Sequence, residues 1–128
     1  EAIVLTADGH VSEGSAENLF VVKDGVLMTP PITDNILEGI TRGRLIEIGR
    51  DQLGVETVIR TIDRTELYIA DEVFLCGTGA QISPVIAIDR RRVGEGRPGP
   101  ITRQLAHTYF EAVRGRVPAY RDWLTPVY

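Results

Sequence analysis

The residues with the most scope for chemistry fall in three short polar stretches. Ser12-Glu13-Gly14-Ser15-Ala16-Glu17-Asn18 puts two carboxylates, two hydroxyls and an amide between apolar runs. Strands that serve only burial do not carry such a cluster at their junction, so a ligand or a fixed backbone geometry is the better explanation. Glu38-Gly39-Ile40-Thr41 stands at the start of a helical stretch, where several backbone N–H groups lack partners and the macrodipole favours an anion. Gly77-Thr78-Gly79-Ala80 closes an apolar run and offers a second nest of backbone donors. Should the three meet, they make a site with an acceptor carboxylate, an anion hole and further N–H groups. That set suits a phosphorylated ligand with a basic ring atom.

Each stretch taken singly also has an ordinary reading. Glu13 could be a solvated turn carboxylate, Gly39-Ile40-Thr41 a helix start that binds water, and Gly77-Thr78-Gly79 a plain turn, since two glycines and a threonine are weak evidence of phosphate binding. His10 and His107 are too isolated for a metal site or a triad, and Cys76 in its apolar run reads as core.

The elements that position these stretches follow from turn chemistry and hydrophobic period. Ile3 to Thr6, then Ala7-Asp8-Gly9, then His10-Val11 predict a hairpin with a type I′ turn, and Leu19 to Val22, Lys23-Asp24-Gly25 and Val26 to Thr29 predict another. Pro30-Pro31 stops this antiparallel sheet. The helix that begins at Gly39-Ile40-Thr41 runs toward Gly54, with apolar residues on more than one face, so it is expected to be buried on two sides. A strand is expected over 55–62, a capping box at Asp63 to Glu66 ahead of a short helix, a buried strand over 73–76 and another strand over 82–88 whose interruption at Pro84 predicts an edge or a bulge. Gly94, Gly96 and Gly99 mark a loop. Pro100 opens a second helix whose stripe is Ile101, Leu105, Tyr109 and Ala112 and which ends at Gly115. The tail from Trp123 to Tyr128 is expected to pack down.

The whole chain narrows the function classes. Its 128 residues are enough for one core, and 43% hydrophobic with 25% charged residues is an ordinary globular composition. A net charge of -4 argues against a nucleic-acid partner, and no apolar run reaches the roughly 20 residues of a membrane span. A single cysteine is compatible with a reducing, cytoplasmic compartment. The chain begins on a strand-like run without Met, which predicts a fragment of a longer protein.

Taken in order, Ser12 to Phe20, Leu37-Glu38-Gly39-Ile40-Thr41-Arg42, Glu66 to Phe74 and Gly77-Thr78-Gly79-Ala80 resemble the class IV pyridoxal-phosphate aminotransferases. Gly99-Pro100-Ile101-Thr102, Tyr109-Phe110 and Val113-Arg114-Gly115 resemble the branched-chain-amino-acid type among them. The resemblance covers nearly the whole chain. It implies a mixed α/β (α+β) fold, the C-terminal part of the large domain, with a mixed sheet or pseudo-barrel and flanking helices. The N-terminal domain would then be absent from residues 1–128. The implied cofactor is pyridoxal phosphate, the implied substrates are branched-chain amino acids and 2-oxoglutarate, and the implied assembly is a homodimer.

Position by position, the resemblance gives Glu13 the cofactor's pyridine nitrogen, and Gly39, Ile40 and Thr41 its phosphate. Leu37 would pack on the ring. Thr78 would add a phosphate hydroxyl, and Thr78, Gly79 and Ala80 would meet the substrate carboxylate. Two departures are mild: Ala16 stands where glycine is frequent, and Gly79 where alanine is frequent. The third is severe. The Schiff-base lysine of the family has no counterpart here, because Lys23, the only lysine, sits in a hairpin-turn pattern. The resemblance places the family's lysine motif upstream of residue 1, so these residues alone are expected not to transaminate. D-amino-acid aminotransferase and aminodeoxychorismate lyase share the Glu13 and Thr41 logic and stand as alternatives, as does a non-catalytic pyridoxal-phosphate-binding or interaction module.

Overall fold

The computed structural model describes residues 1–127. The strands β1 (Ile3–Leu5) and β2 (Val11–Gly14) pair antiparallel as a small sheet of their own. Their turn is not the type I′ turn that Asp8-Gly9 predicts. Of those two residues only Gly9 takes a positive φ, 92°. Gly9 N–H donates to Thr6 O at 3.0 Å, Thr6 N–H to His10 O at 2.8 Å, and the Thr6 hydroxyl to Asp8 Oδ1. These bonds hold a longer loop in which glycine alone occupies the left-handed region. The next hairpin, β3 (Asn18–Lys23) to β4 (Val26–Thr29), meets the expectation, with Asp24 at φ 50° and Gly25 at φ 78°.

Helix α1 (Ile40–Asp51) carries the chain back across the sheet, so β5 (Thr57–Ile59) pairs parallel to β4, with Leu27 opposite Thr57. This strand is shorter than the predicted 55–62. A 3-10 turn over Arg64–Tyr68 stands where a short helix is expected, and Asp63 N–H donates to Glu66 Oε2 at 2.8 Å. The strand β6 (Glu72–Gly77) is followed by β7 (Gln81–Val85), an edge strand that tolerates Pro84. The predicted strand breaks after Val85. Its remainder forms β8 (Ala87–Ile88), which pairs with β9 (Arg91–Arg92). Helix α2 (Pro100–Val113) has Pro100 in its first turn, as predicted.

The main sheet runs β5-β4-β3-β6-β7. It is mixed and open, and among the described residues no closed barrel forms. Its central strands are buried on both faces. On one face Phe20, Val22, Phe74 and Cys76 pack with Leu45, Ile46 and Ile48 of α1 and Leu105 and Ala112 of α2. The Phe20 and Phe74 rings stack there at 4.9 Å. On the other face Leu19, Val21, Val73 and Leu75 pack with Val11, Ile62, Leu67 and Val93. Along the tail, Trp123 stacks on Tyr120 with ring centroids 3.9 Å apart. Val127 is 95% exposed, so the expected packing of the tail stops short of it, and Tyr128 lies outside the described residues.

Candidate functional site

The antiparallel register of β3 and β6 sets Asn18 against Cys76. It therefore brings the turn before β3 and the turn after β6 to one end of the sheet, where α1 also begins. A cleft of about 520 Å³ lies between the three, within the range of small-molecule sites. Glu13, Leu37, Gly39, Ile40, Thr41, Thr78 and Gly79, all singled out from the sequence, line it. Ala80 does not. It turns into the β6–β7 hairpin, where its carbonyl accepts the Ser83 hydroxyl at 2.8 Å.

Glu13 is half-buried on β2. Its Oε2 accepts Asn18 Nδ2 at 2.9 Å and Leu37 N–H at 3.0 Å, while no described residue donates to Oε1. One carboxylate oxygen is thus anchored, and the other has no donor among the described residues.

The start of α1, also on the cleft wall, is bare. Gly39 is the N-cap and no side chain caps the helix, whose first backbone bond runs from Gly43 N–H to Gly39 O at 3.0 Å. The N–H groups of Ile40, Thr41 and Arg42 belong to the first turn, which has no intrahelical acceptors. Glycine at 39 is a steric necessity, because a Cβ there would overlap Asn18 Oδ1. Thr41 is buried at the cleft wall, whereas Leu37 and Ile40 are 75% and 82% exposed.

Two residues of this end escape sequence reasoning. Asn18 lies inside the polar stretch, yet nothing local tells its role from that of Ser15 or Glu17. Arg42 reads as an ordinary helical arginine but is buried, with Nε donating to Thr29 Oγ1 at 3.2 Å and Nη2 to Pro30 O at 2.9 Å. Desolvation pushes its pKa down, opposed by the nearby carboxylate of Glu38. Cys76 lines the cleft but is fully buried, and burial pushes its thiol up to about 12, which removes it as a nucleophile. Lys23 is at the far end of β3, with Nζ 3.1 Å from Asp71 Oδ1, and does not line the cleft. Among the described residues no cluster could hold a metal ion, and no helix is long and apolar enough to cross a membrane.

The donor set fits a phosphorylated pyridine. A carboxylate with one undonated oxygen and an uncapped helix start line the same cleft, and a glycine turn adds further amides and the Thr78 hydroxyl. The profile of the amino-transferase class IV family matches residues 1–88. The chain belongs to the class IV aminotransferases. It is 53% identical over 128 residues to a probable branched-chain-amino-acid aminotransferase of Aquifex aeolicus (strain VF5) and 46% identical over 127 residues to the branched-chain-amino-acid aminotransferase of Escherichia coli (strain K12). These alignments cover 100% and 99% of this chain and 41% of each relative. Among solved structures of the family, the branched-chain amino acid aminotransferase of Thermobaculum terrenum in its PLP-form superposes with a TM-score of 0.97 at 52% identity, covering 99% of this chain and 41% of that one. The branched-chain aminotransferase of the thermophilic archaeon Thermoproteus uzoniensis with norvaline gives 0.95 at 53%, covering 100% and 42%. The chain thus spans about two fifths of the length of these class IV relatives.

Proposed function

We propose that this chain is the C-terminal, cofactor-binding part of the large domain of a pyridoxal-phosphate-dependent branched-chain-amino-acid aminotransferase. Its parent protein is cytoplasmic and homodimeric and exchanges the amino group between leucine, isoleucine or valine and 2-oxoglutarate. The observation that carries this reading is the meeting of Glu13 and the uncapped start of α1 across one cleft.

When bound, pyridoxal phosphate supplies an electron sink for breaking the substrate Cα–H bond. Glu13 would accept the ring N–H and keep the proton on that nitrogen. The Ile40 and Thr41 amides, with the Thr41 and Thr78 hydroxyls, bind the phosphate. Leu37 shields one face of the ring from water. The Thr78 and Gly79 amides orient the substrate carboxylate, and Ala80, whose carbonyl accepts the Ser83 hydroxyl, continues that turn into β7. Glu13, Glu17 and Glu38 line the cleft and no lysine or arginine does, so binding by these residues rests on uncharged donors and the helix dipole. Attachment of the cofactor falls to a lysine in the rest of the parent, because Lys23 is held by Asp71 away from the cleft.

Equilibrium dialysis against pyridoxal phosphate tests the reading. Binding is expected to weaken roughly tenfold in Glu13→Gln and in Thr41→Val, and to be unchanged in Lys23→Ala. Measured in the full-length protein, failure of the unsubstituted form to bind, or loss of binding on replacing Lys23, would sink it. An amino-donor screen on the full-length parent tests the substrate class, with leucine, isoleucine and valine expected to exceed D-amino acids.

A further inference from the structure

We infer that Asn18 is the positioning residue that fixes the two ends of the cleft against each other. The inference rests on the cofactor reading above. Asn18 opens β3 and is 5% exposed. Its Nδ2 donates to Glu13 Oε2 at 2.9 Å and to Leu37 O at 2.7 Å, while Leu37 N–H donates to the same Glu13 oxygen at 3.0 Å. Both acceptors are oxygens, so chemistry fixes which way the amide points. Its Oδ1 lies under Gly39, in the space a Cβ would fill.

The result is a closed circuit of three residues from three segments: Glu13 from β2, Asn18 from β3 and Leu37 from the approach to α1. Glu13 has soft side-chain torsions, and the circuit anchors one of its oxygens so that the carboxylate of this cleft-lining residue is held in place. The same amide ties the backbone two residues ahead of Gly39, and so sets where the helix start stands relative to Glu13. A cofactor gripped by its ring nitrogen at one end and its phosphate at the other needs that spacing held. Only an amide serves. Leucine would leave Glu13 Oε2 and Leu37 O short of a donor, and aspartate would face a carboxylate and a carbonyl with acceptors alone.

The test is a double-mutant cycle on cofactor affinity. Pyridoxal phosphate binding is measured by equilibrium dialysis in the full-length protein for the unsubstituted form, Asn18→Ala, Glu13→Ala and the double variant. Asn18→Ala is expected to weaken binding about tenfold in the parent and far less in the Glu13→Ala background, because its effect travels through Glu13. Asn18→Asp, which keeps the shape, covers the case in which alanine perturbs folding. Its loss of affinity is expected at neutral pH and to shrink as the pH falls into the carboxyl range, where the introduced acid becomes a donor. Additive losses in the cycle overturn the inference, and so does affinity in Asn18→Asp equal to the parent at all pH values. If the unsubstituted full-length protein itself does not bind, the cofactor reading falls first and the inference with it.

Discussion

The carboxylate of Glu72 caps α2 through Thr102, thirty residues further along the chain. Glu72 Oε2 accepts the Thr102 N–H at 2.7 Å and its hydroxyl at 2.6 Å, and Oε1 accepts Ile101 N–H at 3.0 Å. Both residues are buried. A strand residue therefore does the work that usually falls to the N-cap, here Gly99, where a Cβ would collide with the Glu72 side chain. Replacing Glu72 by alanine strands two N–H groups and a hydroxyl, a loss of about 3 kcal/mol, read as a lower midpoint in urea unfolding. Gly99→Ala should also destabilise, through overlap rather than lost bonds.

The site end of the fold depends on a second buried polar chain. Arg42 Nε donates to Thr29 Oγ1, which donates on to Leu19 O at 2.8 Å, so the first turn of α1 is tied through the end of β4 to β3. Arg42→Met leaves Pro30 O and Thr29 short of a donor and should cost about 2 kcal/mol. Arg42→Lys should recover little of this, since an ammonium cannot reproduce the guanidinium fork. Combined with Thr29→Val, the two losses are expected to be less than additive by about 1 kcal/mol in urea unfolding, because they break one chain of bonds.

What is legible in the sequence is local. Asp24-Gly25 announces its turn because both residues must take positive φ, and Gly39 and Pro100 announce helix starts because backbone chemistry there is short-ranged. The polar loops are legible as sites for the same reason. Asn18, Glu72 and Arg42 are not, because each depends on a partner brought in from a distance, Leu37 at 19 residues, Thr102 at 30 and Pro30 at 12, and Glu13, only five residues from Asn18, reveals nothing without Leu37. The direction of β5 is likewise hidden, since parallel pairing is decided by the path of α1 and not by Thr57-Val58-Ile59. Asp8-Gly9 misleads because the Thr6 hydroxyl captures Asp8 and reshapes the turn.

Acid should loosen the turn over Arg64–Tyr68. The Arg60 guanidinium holds the Glu66 carboxyl below its ordinary value of 4.5, helped by Asp63 N–H and opposed by partial burial. With the folded value depressed, the unfolded chain binds more protons in the window between the two values, so stability rises with pH across it. The contribution is complete above the unfolded value and lost as pH falls through the folded one. Glu66→Gln should therefore be less stable than the parent near neutrality, and the gap in thermal midpoint should close on moving into acid.

Cys76 should be inert toward thiol reagents while the protein is folded. Burial raises its thiol to about 12, with only a small opposing pull from Arg42, so at neutrality roughly one part in 10⁵ is thiolate. Cys76 borders the cleft as a residue yet offers no surface to solvent, its side chain belonging to the core. Alkylation with iodoacetamide, followed by mass spectrometry, should be negligible in buffer and complete in urea, with a rate that tracks unfolding. The same shift carries a pH sign. The unfolded thiol ionises near 8.5, the folded one only near 12, so between those values the unfolded chain binds fewer protons and stability falls as pH rises. Cys76→Ala should remove that part of the alkaline slope, though it costs stability at neutrality through the lost packing against Phe20 and Phe74.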